Sequence, residues 1–247
     1  SLEGRSIGHD FVPRDGWRMY HGKKIPGFPV HPHRGFETIT IVLKGLVDHA
    51  DSLGAAGRYG HGDVQWMTAG AGIQHTEMFP LINTDKDNPL ELFQIWLNLP
   101  AEDKFVEAHY KMLWREEIPV LSYPSSGDRQ TLVRLIAGQL RDESAIPPPP
   151  DSWAAKKENE VGIYLVEMDP ETTWSLPSCS PGILRSLYFY KGDKLELNGE
   201  TLSSSHAADI GSDEWKISNG KFRSKFLILQ GMPINEPVAQ YGPFVMN

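Results

Sequence analysis

The chain has 247 residues and a formal net charge of −8, which argues against a general affinity for nucleic acid or for an anionic membrane. Hydrophobic residues make up 40% of it, enough for a substantial core, but no apolar run approaches the roughly 20 residues of a membrane-spanning helix. The single cysteine, Cys179, excludes an internal disulfide and is typical of a reducing compartment. Because Ser1–Asp10 also lacks the apolar core of a signal peptide, we expect a cytoplasmic protein, or a nuclear one in a eukaryote.

Turn-forming residues punctuate the whole chain. The 23 glycines and 19 prolines fall at intervals of roughly 8–12 residues, a pattern typical of many short strands. The predicted strands, in chain order, are Glu37–Leu43, Gly62–Met67, Leu92–Leu99, Thr131–Ala137, Gly162–Met168, Ser186–Tyr190, Lys194–Leu197 and Phe226–Gln230. Helical pattern is scarce, and 100–112 offers at most a short turn. The sequence therefore predicts an all-β protein.

Two comparable sets of strands predict a duplicated β-barrel, with one domain over 1–138 and a second over 139–247. The prolines Pro147–Pro150 cannot join a central strand and mark a boundary or a stiff connector near the middle. Eight of the nine histidines precede residue 110, and the second half has only His206, in a polar turn. We therefore expect the second barrel to lack metal ligands.

Two short pairs of metal-capable residues lie about forty residues apart: His31-Pro32-His33 and His75-Thr76-Glu77. In a β-strand this i, i+2 spacing puts both side chains of a pair on one face. Three imidazoles and a carboxylate suit iron, nickel, copper, zinc or manganese. The alternative is that these histidines make hydrogen bonds in tight turns. Because both pairs are entered through glycine- or proline-rich turns, we favour one transition-metal ion.

The segment from Gly27 to Phe79 resembles the pirins, a family of the cupin superfamily. The similarity covers nearly the whole chain, strongly in the first half and weakly from residue 140 to 235. It is carried by the motifs HPHRGFET (31–38), GDVQWMTAG (62–70), GIQHTEM (72–78), QIWLNLP (94–100), IAG (136–138) and GPFVMN (242–247). The resemblance implies a bicupin, two jelly-roll barrels with one metal, usually Fe(II), in the first. It maps the ligands onto His31, His33, His75 and Glu77.

Glu37 competes with Glu77 for the place of the carboxylate ligand. In many cupins a glutamate shortly after the His-x-His pair binds the metal, and Glu37 has the same strand parity as His33. Parity alone therefore does not choose between the two glutamates. The pirin pattern assigns the ligand to Glu77, and Glu37 would then orient a ligating imidazole.

Four protein ligands leave up to two positions free on a six-coordinate ion, and an open position is typical of a catalytic site. The resemblance implies a quercetin 2,3-dioxygenase type of activity, with a small aromatic substrate and O₂ as partners. Glu77 would be the catalytic residue, accepting the proton of the flavonol 3-hydroxyl. Aromatic and methionine side chains near the site would form barrel core, and some could line a cavity for a flat ligand: Phe36, Trp66, Met67, Met78, Phe79 and Trp96.

A second function, from another class, needs the same ligands. Pirins include regulators that bind transcription factors or metabolic enzymes, with the oxidation state of iron as the switch. Such a protein would bind a protein partner in a redox-dependent way and show little turnover. Under either hypothesis we expect a monomer that binds neither nucleic acid nor membrane directly.

Overall fold

The computed structural model describes residues 26–242 and 244–246, so Ser1–Asp10 lies outside the described residues. Within these ranges the regular structure is β-strand apart from three short 3₁₀ helices, and there is no α-helix. None of the helices in this part of the chain is long and apolar enough to cross a membrane. The all-β prediction is confirmed.

The strands are short and follow one another closely. They are β1 (Gly27–His33), β2 (Phe36–Lys44), β3 (Leu46–Asp51), β4 (Ala56–Gly60), β5 (Val64–Thr68), β6 (Ile73–Met78), β7 (Glu91–Asn98), β8 (His109–Leu113), β9 (Val120–Pro124), β10 (Gln130–Ala137), β11 (Gln139–Leu140), β12 (Glu143–Ser144), β13 (Gly162–Met168), β14 (Thr173–Leu176), β15 (Leu184–Lys191), β16 (Lys194–Leu197), β17 (Glu200–Ser203), β18 (His206–Ile210), β19 (Trp215–Asn219), β20 (Ser224–Gly231), β21 (Ala239–Tyr241) and β22 (Phe244–Met246). The 3₁₀ helices are Ala101–Asp103, Trp153–Ala155 and Lys157–Asn159. Each of the eight predicted strands overlaps one of these, and the turn predicted after Pro100 is the first 3₁₀ helix.

The described residues form two compact units: 26–115 together with those from Glu236 onwards, and Glu116–Asn235. The first unit contains two four-stranded antiparallel sheets, ordered β1-β6-β3-β4 and β7-β2-β5-β8. Along β6 buried residues alternate with less buried ones, as expected for a strand with one face turned inward. Side chains of β6 and β7 meet between the sheets, so polar residues on these inner faces share one interior.

The second unit repeats the strand order of the first. The order β1-β6-β3-β4 recurs as β14-β19-β16-β17, and β7-β2-β5 recurs as β20-β15-β18 within a six-stranded sheet that also holds β13, β10 and β9. The predicted duplication is therefore visible in the topology. On β14 and β19, which correspond to β1 and β6, three of the four buried positions carry Trp174, Leu176 and Ile217, all part of a hydrophobic core, and the fourth carries Asn219. Apolar side chains thus occupy the strands that carry the histidines in the first unit.

The division between the units differs from the predicted boundary at 138/139. Strand β10 pairs with β13 along most of its length, and β9 pairs with β10. Both strands therefore belong to the six-stranded sheet of the second unit. The C-terminal strands β21 and β22 belong to the first unit, where Phe244 bridges to Arg34. Pro147–Pro150 forms no strand, as predicted, but lies inside the second unit rather than at a boundary.

Candidate metal centre

The two predicted pairs lie on neighbouring antiparallel strands. His31 of β1 is directly opposite His75 of β6, and their ring centroids are 4.4 Å apart. His33 joins them, with its ring 4.9 Å from that of His75. One nitrogen from each of the three imidazoles lies within 4.8 Å of the others. The structure thus brings together three nitrogen ligands that could hold one metal ion.

A tight turn after β1 positions His33. β1 ends at His33 and β2 begins at Phe36, and Gly35 in the turn has a φ of +80°, a left-handed conformation that favours glycine. A Cβ at Gly35 would come within 2.0 Å of the carbonyl oxygen of Val245. The parity argument counted His33 and Glu37 along one strand. It does not apply, because this turn separates the two residues onto different strands.

The imidazole nitrogens are arranged as a metal ion requires. Nδ1 of His31 lies 2.8 Å from the carbonyl oxygen of Pro29, so Nδ1 carries the proton that it donates there and Nε2 keeps its lone pair. Nε2 of His75 is buried and has no hydrogen-bond partner among the described residues. A buried polar atom normally has a partner, so a ligand is the natural occupant of this position. The residues present therefore fit a metal ion.

A hydrogen-bond chain continues from His75 away from the candidate ion. Nδ1 of His75 lies 3.3 Å from Nδ1 of His49, and Nε2 of His49 lies 2.8 Å from a carboxylate oxygen of Asp51. The His49 ring also stacks on Tyr110, with centroids 4.8 Å apart. From the sequence we expect a surface or hairpin hydrogen bond for His49. The hydrogen bond to Asp51 lies at the end of β3, next to the β3–β4 hairpin turn, but a surface position is wrong, since only 3% of His49 is exposed. The missed signal is the i, i+2 spacing of His49 and Asp51, the same spacing as in the two recognised pairs.

Burial keeps these histidines neutral. It lowers the pKa of His75 to about 2, with further lowering by the neighbouring histidines, His31 first. Burial also lowers the pKa of His31 and of His49, although hydrogen bonds to Pro29 and Asp51 oppose it. Only the neutral imidazole has a lone pair for a metal. The site is therefore kept in the protonation state that binds an ion.

Glu77 lies two residues beyond His75 on the same inward face of β6, but outside the group of three histidine nitrogens. Its carboxylate accepts hydrogen bonds from Nε2 of Gln94, at 3.2 and 3.1 Å to the two oxygens. Burial raises the pKa of Glu77 to about 7, against the lowering by hydrogen bonds from Gln94 and Thr40. Glu77 is thus a buried carboxyl that changes charge near neutral pH. Its assignment as fourth ligand stays a prediction.

Glu37 points the other way. Its fully buried carboxylate accepts hydrogen bonds from Nε1 of Trp66 at 2.9 Å and from Oγ1 of Thr68 at 2.7 Å. The preceding residue, Phe36, packs its ring 5.2 Å from that of His33. Since successive side chains of a strand alternate between faces, Glu37 lies on the opposite face of β2 from Phe36. A role for Glu37 in orienting an imidazole also stays a prediction.

Aromatic side chains border the histidines. The Trp96 ring lies 5.9 Å from that of His33 and 4.5 Å from that of Phe36, and 43% of Trp96 is exposed. Trp66 and Met67, in contrast, are fully buried core residues. The first unit also has an apolar cavity of about 950 Å³, lined by Phe28 and Phe79 among others. None of the three histidines lines this cavity. Of the aromatic residues named from the sequence, Trp96 combines exposure with contact to a candidate ligand.

Two family models match the chain: Pirin over residues 6–97 and the Pirin C-terminal cupin domain over residues 163–247. The chain belongs to the pirin family. Both barrels of this pirin are cupin domains, so the predicted bicupin is confirmed. The candidate metal centre lies in the part of the chain that the first of the two models covers.

Relatives of this pirin extend over most of its length. Human Pirin is 34% identical over 235 residues, which cover 92% of this chain and 74% of that protein. The structure of a quercetin 2,3-dioxygenase from Acinetobacter baumannii is 32% identical with a TM-score of 0.78, covering 91% of this chain and 74% of that one. A bacterial pirin from Escherichia coli in complex with nickel(II) is 24% identical with a TM-score of 0.59, covering 84% and 76%. The last comparison supports the fold alone.

Proposed function

We propose that this pirin is a mononuclear metal dioxygenase of the quercetin 2,3-dioxygenase type, which opens the ring of a flavonol-like substrate with O₂ and releases carbon monoxide. The observation that carries the proposal is the convergence of three imidazoles, with their nitrogens within 4.8 Å of one another. The similarity to the Acinetobacter baumannii quercetin 2,3-dioxygenase supports the reaction class. Iron(II) is the ion that the family resemblance implies, and nickel, copper, manganese and zinc also suit these ligands.

His31, His33 and His75 would hold the ion, with Glu77 as the fourth ligand. When bound, the ion supplies a Lewis acid that lowers the pKa of a coordinated hydroxyl, and a redox-active ion also reacts with O₂. The hydrogen bond from Nδ1 of His31 to Pro29 fixes the ring so that Nε2 is the nitrogen left for the ion. His31 therefore needs no change of tautomer before it binds.

Glu77 would also accept the proton of the flavonol 3-hydroxyl. Because burial raises its pKa to about 7, the carboxylate is basic enough to take this proton near neutral pH. Gln94 donates to both carboxylate oxygens through one nitrogen and holds them in place. Gln94 would thus be a positioning residue for Glu77.

Trp96 would contact the flat ring system of the substrate. It is partly exposed and stands beside both His33 and Phe36, and aromatic faces stack on aromatic ligands. This arrangement favours a planar aromatic substrate over a sugar or a short aliphatic acid. The proposal includes a cytoplasmic location, which the single cysteine supports. It also includes a monomeric state, which light scattering would test.

The test is oxygen consumption by the iron-loaded protein. Protein loaded anaerobically with Fe(II) is mixed with quercetin in aerated buffer, and O₂ uptake is followed with release of carbon monoxide. We expect stoichiometric uptake and release, loss of both in His75→Ala, and normal activity in His206→Ala, which changes an exposed histidine of the other unit. No oxygen uptake by fully loaded protein would overturn the proposal. A protein partner retained only in one oxidation state would then favour the regulator.

A further inference from the structure

The second unit has a cavity that the metal chemistry does not use. It has a volume of about 750 Å³, and both polar and apolar residues line it. All of its lining residues belong to Glu116–Asn235. The cavity is therefore a feature of the barrel whose strands carry no histidine pair.

A polar row crosses the inward face of the six-stranded sheet at this cavity. Arg185 of β15 is opposite Gln230 of β20, which is opposite Gly162 of β13. Arg185 alternates along β15 with exposed residues and shares its face with the buried core residues Leu187 and Phe189. Only 4% of Arg185 is exposed. An arginine is rarely this buried unless paired, so its surroundings indicate what it binds.

Hydrogen bonds hold the guanidinium of Arg185 in place but do not use all of its N–H groups. Nε donates to Gln230 at 3.0 Å, one Nη donates to the carbonyl of Asp213 at 3.3 Å, and the other Nη donates to the carbonyl of Pro177 at 2.7 Å. An arginine has five N–H groups. One N–H on each Nη therefore remains without a partner among the described residues. None of the three acceptors is a carboxylate, so the charge of Arg185 is not paired through these bonds.

Gly162 lets two residues that line the cavity, Tyr164 and Gln230, pack closely against the backbone of β13. A Cβ at Gly162 would come within 2.4 Å of Oη of Tyr164 and within 2.7 Å of a Gln230 side-chain carbon. Tyr164 is held in turn by its hydrogen bond to the carbonyl of Gln139. A larger residue at position 162 would therefore displace the side chain of Tyr164 or Gln230.

Charge and polarity specify the ligand. Four basic residues and one acidic residue line the cavity: Arg141, Lys156, Lys157, Arg185 and Glu160. The remaining wall is largely apolar and includes Leu140, Ile146, Pro147, Pro148, Ala154 and Val161. An arginine with a free N–H on each Nη matches the two oxygens of a carboxylate. We infer that the second barrel binds a small organic carboxylate with an apolar body, its carboxylate on Arg185 and its body against the apolar wall.

The duplicated topology gives this site a counterpart in the first barrel. β15 corresponds to β2 in strand order, and the first inward residue of β2, Phe36, packs against His33 of the metal centre. Arg185 is the first buried residue of β15. The carboxylate site and the metal centre thus occupy the same end of their barrels. At this end the first barrel carries a site for a cation, and the second barrel carries a site for an anion.

Cys179 makes the site directly measurable. It lines the cavity and is the only cysteine of the chain. Its reaction with a thiol reagent at mildly alkaline pH therefore reports on this cavity alone. Benzoate is the probe, and benzamide is its neutral control. We expect benzoate to slow labelling of Cys179 about tenfold at ten times its Kd, with no effect of benzamide.

Variants separate the bound anion from general effects. Arg185→Gln should raise the Kd of benzoate, read from the concentration dependence of protection, about ten- to hundredfold, as expected for loss of a charged hydrogen-bonding group. Arg129→Gln removes the same charge from an arginine that pairs with Glu171 and does not line the cavity, and it should leave protection unchanged. If circular dichroism shows that Arg185→Gln does not fold, the double variant Lys156→Gln, Lys157→Gln replaces it in the test. This variant should raise the Kd of benzoate severalfold.

Three results would overturn the inference. They are no protection by benzoate at 10 mM or below (about 10 mM being a weak-binding limit), equal protection by benzamide, or full protection in the variant that folds. The measurement does not depend on metal in the first barrel and is made on the chelator-treated protein with both barrels. Its failure would therefore leave the proposed dioxygenase function untouched, and failure of that function would leave this site untouched.

Discussion

Nδ1 of His75 lies 3.3 Å from Nδ1 of His49, and the opposite nitrogen of His49 lies 2.8 Å from the carboxylate of Asp51. Only one proton fits between the two Nδ1 atoms. Because the Asp51 carboxylate accepts, Nε2 of neutral His49 carries the proton and its Nδ1 is an acceptor. His75 must then donate from Nδ1, which leaves its Nε2 as a lone pair. Asp51 and His49 therefore select the tautomer of His75 that can bind metal.

The first prediction concerns the hydrogen bonds that link Asp51, His49 and His75. His49→Phe keeps an aromatic ring against Tyr110 but removes the acceptor for Nδ1 of His75. We expect the affinity for Ni(II) to fall about 10–100-fold, the usual effect of losing such an outer partner. Competition with a chelator measures it, and ¹⁵N chemical shifts of the His75 ring in the metal-free protein report the tautomer. His206→Phe, an exposed histidine of the second unit, is the control. An unchanged affinity together with an unchanged His75 tautomer would contradict the role of His49.

The second prediction separates the two glutamates. Glu77→Gln should lower the metal content after dialysis, because it removes an anionic ligand. Glu37→Gln should retain the metal and lower the free energy of unfolding by about 1–3 kcal/mol, since the carboxylate that accepts from Trp66 and Thr68 is lost. Metal analysis and urea unfolding of both variants test this. Metal loss in Glu37→Gln with retention in Glu77→Gln would reverse the assignment.

The third prediction is a pH dependence of stability in the metal-free protein. Burial raises the pKa of Glu77 from 4.5 to about 7 and lowers that of His75 from 6.5 to about 2. Between pH 4.5 and 6.5 the folded chain holds a proton on Glu77 and the unfolded chain holds one on His75. These two contributions to the slope of stability against pH therefore cancel. Below this window Glu77 is protonated in both the folded and the unfolded chain. Only the unfolded chain then holds an extra proton, on His75, so the free energy of unfolding decreases as the pH falls.

Glu77→Gln removes one side of this balance. Its stability should begin to fall as soon as the pH drops below about 6.5, the ordinary pKa of histidine. Its slope should be steeper than that of the unsubstituted protein by about 1.4 kcal/mol per pH unit down to pH 4.5. The lowered pKa values of His31 and His49 add acid sensitivity to both proteins equally. Urea unfolding between pH 4.5 and 8 of the metal-free proteins gives the two curves, and parallel curves would contradict the prediction.

The sequence predicts what depends on local pattern. The strands Gly162–Met168 and Lys194–Leu197 have the predicted bounds, and two i, i+2 pairs indicate a metal site. Which strands become neighbours is not local, and the proximity of His49 to His75 arises only because β3 pairs with β6. The bounds of β1 are not among the eight predicted strands, although the metal argument from the i, i+2 spacing places His31 and His33 on a strand.

Two further differences have the same physical origin. The parity of Glu37 depends on whether the strand runs through Gly35, and the φ of +80° there is not readable from glycine alone. The domain boundary depends on which sheet β10 joins, although its sequence is an ordinary strand. Arg185, too, appears in the sequence as one charged residue in a strand. Its burial follows from the register that puts it opposite Gln230.

The last prediction tests the turn that positions His33. Gly35 and Gly54 both have left-handed φ values, +80° and +89°, so alanine costs about 1–2 kcal/mol of backbone strain at either. A Cβ at Gly54 meets nothing within 4 Å, whereas one at Gly35 meets the carbonyl oxygen of Val245. Gly35→Ala should therefore cost a further 1–3 kcal/mol or so from overpacking. It should also weaken Ni(II) binding, because relief of the clash displaces the end of β1. Gly54→Ala should leave the affinity unchanged, and equal losses of stability and affinity in the two variants would show that the turn does not position His33.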